Sequence, residues 1–100
     1  MGTNAGPYSI GSDSWPGMSR AIEECGELLQ VFGKVIGAGG ATSHWDGTDL
    51  RERLTEELGD VIAALNFFVA ANNLPGSTIA DRAAEKFAQY EQWHAQADTD

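Results

Sequence analysis

Positive charge is what this sequence has least of: six lysines and arginines stand among 100 residues, against fifteen aspartates and glutamates, for a formal net charge of -9. Neutralising the phosphates of a nucleic-acid polymer or an anionic membrane needs clustered bases, so neither is expected as a partner. The single cysteine, Cys25, cannot form an intrachain disulfide. No apolar run approaches bilayer-spanning length, and no basic stretch followed by an apolar one marks a secretion signal, so a cytoplasmic protein is expected. Nor does any stretch alternate apolar and polar residues long enough to demand a strand. What is present is 42% hydrophobic residues, nine aromatics among them, enough for one modest core in a single domain over residues 1–100.

Residues 1–17 hold four of the twelve glycines with Pro7, Pro16 and three serines, and read as an irregular arm whose Tyr8, Ile10 and Trp15 can still pack. From Met18 the pattern turns helical. Met18, Ile22, Cys25, Leu29, Phe32 and Ile36 form one stripe, widened by Ala21, Leu28 and Val35, and Gly37 supplies the stop. Residues 37–48 are too rich in glycine for a helix and are expected to form a mobile loop. Asp49, with Glu52 three residues on, looks like a capping box for a second helix, where Leu50, Leu54, Leu58, Val61, Leu65 and Phe68 repeat as far as about Asn72. After Asn73, Pro75 and Gly76 break the chain, Ser77 or Thr78 can cap a third helix with Ile79, Ala83, Phe87, Tyr90 and Trp93 as its apolar positions. The expected fold is all-α. Three amphipathic helices leave wide apolar stripes uncovered, so a homodimer or homotetramer is expected to complete a four-helix or larger bundle.

Shifted by 33 residues, Glu23-Glu24-Cys25-Gly26-Glu27-Leu28-Leu29 falls on Glu56-Glu57-Leu58-Gly59-Asp60-Val61-Ile62, and Arg20 falls on Arg53. The two glutamates and the glycine repeat, and the acid after the glycine is kept. Spacing of three puts Glu24 beside Glu27, and Glu57 beside Asp60, on one helical face. An acidic pair on a helix is most often a solvated face. Here, however, the acids are followed at i+4 by Leu28, Val31, Val61 and Ala64 rather than by bases, and they border the apolar stripe. Glu23 and Glu56 stand four residues before Glu27 and Asp60, a like-charge arrangement that calls for compensation. Gly26 and Gly59, each costing roughly 1 kcal/mol against alanine in mid-helix, suggest a close crossing of the two helices. Such a crossing would gather four carboxylates, a hard oxygen set suited to Mg²⁺ or Mn²⁺. A cation held there can carry a triphosphate and activate a water for attack at phosphorus.

At these residues the sequence resembles the all-α nucleotide pyrophosphohydrolases, the MazG-like proteins related to the dimeric dUTPases, whose signature is ExxE, a variable gap, then ExxD. Here it reads Glu24-x-x-Glu27 and Glu57-x-x-Asp60, with 29 residues between that include the glycine-rich loop. Trp15-Pro16-Gly17, His44-Trp45-Asp46-Gly47 and Asn66-Phe67-Phe68 also look like the small members from phages and actinobacteria, so the likeness runs from about Trp15 to Trp93. It implies a MazG-like four-helix core and cleavage of a nucleoside triphosphate between the α and β phosphates, giving the monophosphate and diphosphate. In its narrowest form it implies a purine deoxynucleotide such as dGTP, drawn from the precursor pool in the host cytoplasm. By position Glu24, Glu27, Glu57 and Asp60 become the metal ligands, and Glu23, before Glu56, the further ligand or the base that orients water. Lys34, on about the same face as Glu27, and Arg82 and Lys86, one turn apart on the third helix, are candidates for the phosphates. Trp15, Trp45 and Asn66 are candidates for base and sugar. The alternatives are a non-catalytic acidic helical interaction module, or an enzyme of the same fold acting on dUTP or a phosphoribosyl nucleotide.

Overall fold

The computed structural model describes residues 6–43 and 46–99 and consists of three helices, α1 (Met18–Gly37), α2 (Leu50–Ala71) and α3 (Gly76–Thr99). Their ends follow local chemistry. α1 stops at Gly37, where Gly39 and Gly40 adopt positive φ and return their N–H groups to the carbonyls of Ile36 and Val35. α2 is capped by the Asp49 carboxylate, which accepts from the backbone N–H groups of Arg51 at 3.0 Å and Glu52 at 3.2 Å. Among the described residues the one strand-like feature is an isolated bridge between Ser43 and Asp49, which closes the base of the interhelical loop. α3 begins at Gly76, with Pro75 rather than the expected Ser77 or Thr78 before its first residue, and the Pro75 carbonyl accepts the first intrahelical bond, from the N–H of Ile79.

The irregular arm is tied down at both helices. Backbone N–H groups of Ser19 and Gly17 donate to the carbonyls of Tyr8 and Ser9, so the arm satisfies donors at the start of α1. Asn72, just beyond α2, donates its side-chain amide to the carbonyl of Pro16 at 3.0 Å. Gly17 sits at φ 90°, and a Cβ there would meet the Phe67 ring at 2.8 Å, so only glycine lets the arm lie against α2.

α1 and α2 pack side by side and antiparallel, the start of α1 lying by the end of α2 where Gly17 meets Phe67, and their seam differs from the expected stripes. On α1 the positions turned inward are Ala21, Glu24, Leu28, Val31 and Val35; on α2 they are Leu50, Leu54, Glu57, Val61, Ala64 and Phe68. Both sets advance by alternating three and four residues, the spacing of a coiled-coil seam. The expected stripe of α1 therefore only half coincides with it. Ile22, Leu29 and Ile36 stay exposed, Ile36 at 78%, and on α2 Leu58 and Leu65 face outward while Glu57 and Ala64 take the inner places. Gly26 and Gly59 do not mark the crossing either: an added Cβ at each would meet nothing within 4 Å.

α3 makes no extended packing with α1 or α2 among the described residues, touching α2 near its start where Gly76 lies by Val69, and its Ile79, Phe87, Tyr90 and Trp93 are exposed. The molecule is consequently thin and open. Its radius of gyration is 17.0 Å, against about 13 Å for a compact chain of this length. Its thinnest dimension is 16 Å, little more than one helix with its side chains. Within the described residues no helix is long and apolar enough to cross a membrane.

Candidate metal centre

Two of the inward seam positions carry carboxylates, Glu24 on α1 and Glu57 on α2. They face each other because the repeat puts the same residue at the same place in two helices that run side by side. Asp60, one turn beyond Glu57, joins them: one carboxylate oxygen from each of Glu24, Glu57 and Asp60 lies within 4.8 Å of the others. Three like charges this close repel unless a proton, a base or a cation intervenes.

Bases are present, at i-4 rather than i+4. The Arg20 guanidinium lies 3.4 Å from Glu24 Oε2 and 3.3 Å from Glu23 Oε1, and Arg53 lies 3.6 Å from Glu57 Oε1. Each arginine thus takes up one oxygen of a seam glutamate. The other oxygen of each, Glu24 Oε1 and Glu57 Oε2, is buried without a hydrogen-bond partner. For Glu57, with 5% of its surface exposed, that is a costly state for a charged group. At Glu24 the balance is shifted toward the protonated form. Burial, then contact with Glu27 and the charges of Glu27 and Asp60, raise its pKa above the ordinary 4.5, while the hydrogen bond from Arg20 works in the opposite direction. Oxygen-only donors with two orphaned buried atoms fit a hard divalent cation.

The other residues singled out by sequence are distributed as follows. Glu27 lies against Glu24 but outside the three-way convergence. Glu23 is 57% exposed on its side chain and pairs with Arg20. Lys34 is exposed in the last turn of α1, about 15 Å along the axis from Glu24. Arg82 and Lys86 are on α3, away from the carboxylates, where Arg82 lies 3.8 Å from Glu85 and Lys86 donates to Gln89 at 3.3 Å. Trp15 stacks on Phe68 with ring centroids 5.9 Å apart, and Asn66 is exposed on α2. Trp45, with His44, lies outside the described residues.

Beside the carboxylates opens a cavity of about 490 Å³, within the range that takes one small molecule. Glu24, Asp60 and Arg20 form its charged end; Ala63, Ala64 and Phe67 continue the same face of α2 for about 10 Å, and Ile10 of the arm closes the side. Of these lining residues Glu24 and Asp60 were expected at the site from sequence, whereas Ile10, Arg20, Ala63, Ala64 and Phe67 were not. Asp60, Ala63, Ala64 and Phe67 recur at helical spacing, and the Arg20–Arg53 correspondence was the other available signal. Compared with known proteins, the chain matches no family model, no curated protein and no solved structure.

Proposed function

We propose that this protein is a Mg²⁺- or Mn²⁺-dependent nucleoside triphosphate pyrophosphohydrolase of the MazG-like kind. The observation that carries the proposal is the convergence of Glu24, Glu57 and Asp60 at a helix seam, with one oxygen of each glutamate buried and unpartnered. A purely structural acid has no reason to occupy a seam position that Leu or Val would fill at lower cost. A bound divalent cation would neutralise the developing charge on phosphorus and lower the pKa of an attacking water. The chain's own groups orient the rest. The adjoining cavity has a charged end for phosphates and an apolar wall for a sugar and base. Water oxygen bonds to the α phosphorus, the bond from that phosphorus to the α–β bridging oxygen breaks, and diphosphate leaves with it. A carboxylate next to the cluster, Glu27 against Glu24 or Glu23 on Arg20, would accept the water's proton.

The active form is a homo-oligomer. The chain exposes 7305 Å², whereas a folded monomer of 10.7 kDa exposes about 5,500 Å². The excess, roughly 1,800 Å² per chain, is what an obligate homodimer buries on each side. A second copy covering Ile22, Leu29, Ile36, Leu58 and α3 would supply the four-helix core and can bring Arg82 and Lys86 to a neighbouring site.

The test is incubation of the protein with Mg²⁺ or Mn²⁺ and a panel of nucleoside triphosphates, including dGTP and dUTP, with diphosphate as readout. Turnover that collapses in Glu57→Gln and Asp60→Asn supports the hydrolase; activity retained in both refutes the site. A second reading, a non-catalytic helical interaction module, is favoured by the exposed apolar faces and by the arginine already beside each seam glutamate. It requires that no nucleotide be turned over and that Mn²⁺ leave stability unchanged.

A further inference from the structure

Arg20 and Arg53 occupy the same place in the two repeats, each four residues before a seam glutamate, yet their surroundings differ. Arg53 lies 3.6 Å from Glu57 and lines no part of the cavity beside the carboxylates. Arg20 lines that cavity, at its charged end, with Glu24 and Asp60. Its guanidinium is divided between Glu23 at 3.3 Å and Glu24 at 3.4 Å, and its side chain is 38% exposed. Of the cations the sequence offered for phosphate binding, Lys34 and the pair on α3 lie away from this cavity. Arg20 is the base that borders it.

We propose that Arg20 is a phosphate-binding residue parked on Glu24, released to the substrate's polyphosphate when a divalent cation takes that carboxylate. The role rests on the hydrolase proposed above and deepens it. Glu24 has two oxygens, one orphaned and one shared with Arg20, so a cation that engages the carboxylate removes the Glu24 share of the attraction and leaves Arg20 only its contact with the exposed Glu23. The guanidinium then faces an anion with its planar donor fork, a geometry suited to phosphate. Cation and arginine compete for Glu24 but cooperate on the substrate. Arg53, which also neutralises a ligand but does not line this cavity, competes without cooperating.

Removal of the two arginines separates these effects. On the whole chain, Mn²⁺ affinity is measured without nucleotide by calorimetry, and KM is measured with the best triphosphate of the panel. Arg20→Ala is expected to tighten Mn²⁺ severalfold and to raise KM about 10- to 100-fold, the range for a lost hydrogen bond to a charged group. Arg20→Lys should recover part of the KM, and Arg53→Ala should tighten Mn²⁺ with KM moved less than about threefold. Both arginines are on helix surfaces, so circular dichroism is expected to report unchanged helix content. A KM within twofold of wild type in Arg20→Ala overturns the role, as does an equal rise in both alanine variants. Failure of the hydrolase itself would be seen earlier and differently, as a wild-type chain without cation-dependent turnover.

Discussion

Replacing Glu57 by methionine tests whether the seam carboxylate is there for a cation or for the fold. In the wild-type chain without metal, Glu57 Oε2 is buried and unpartnered, and such a group costs about 1–3 kcal/mol. Against this stands the Arg53 contact, 3.6 Å long with the arginine side chain 46% exposed, worth about 0.2–1 kcal/mol after solvent screening. The orphan wins. An unbranched apolar side chain of similar length removes both terms, so Glu57→Met should stabilise the metal-free protein by about 1–2 kcal/mol, in line with other buried charges exchanged for apolar residues. For a chain of this size that is a rise in Tm on the order of 10 °C. With Mg²⁺ at a hundred times its Kd the order reverses, because the wild type gains about 2.7 kcal/mol from binding and the variant gains nothing. Thermal melts with EDTA and with Mg²⁺, at one fixed protein concentration, decide it. A variant that melts below wild type in EDTA and still responds to Mg²⁺ would refute the reasoning and leave Glu57 as a structural partner of Arg53.

Four further outcomes are expected. Glu24→Gln and Asp60→Asn should each lower triphosphate turnover by at least about 100-fold, read as diphosphate release, since each removes a ligand charge worth several kcal/mol at the reacting centre. Glu24, raised above 4.5 by burial and by the carboxylates of Glu27 and Asp60, binds its proton more tightly folded than unfolded. Its contribution to stability is therefore full below 4.5 and lost as pH rises through the raised value, while Mn²⁺ affinity climbs over the same window; melts across pH with EDTA and with Mn²⁺ should diverge there. Gly17→Ala, forcing a Cβ to 2.8 Å from Phe67 at φ 90°, should cost more than about 1 kcal/mol in urea unfolding, whereas Gly26→Ala and Gly59→Ala, with open space around them, should add about 0.5–1 kcal/mol each. Sedimentation at micromolar concentration should give a dimer or larger species, and a monomer would remove the partner proposed for the exposed faces.

The helices were legible because their signals are local. Asp49 caps α2 where the capping pattern stood, Gly37 ends α1, and the repeated Glu-Glu-x-Gly-acid unit marked the three carboxylates that converge. Glu27 matched the motif equally well but stays beside the cluster, since one-dimensional spacing cannot say which of two adjacent acids turns across the seam. The expected crossing at Gly26 and Gly59 failed for a related reason. A glycine in mid-helix signals close approach only if something approaches, and among the described residues nothing does.

Sequence by itself determined that this chain is all-helical, acidic and built on a duplicated carboxylate unit, because capping, periodicity and charge act over a few residues. Tertiary structure alone decided which face of each helix is inside. A shift from the Ile22–Leu29–Ile36 edge to the Ala21–Leu28–Val35 edge turns Glu24 and Glu57 from border residues into seam residues, and hydrophobicity does not distinguish two apolar edges about 100° apart. That rotation buries one oxygen of each glutamate and sets Arg20 at the mouth of a cavity.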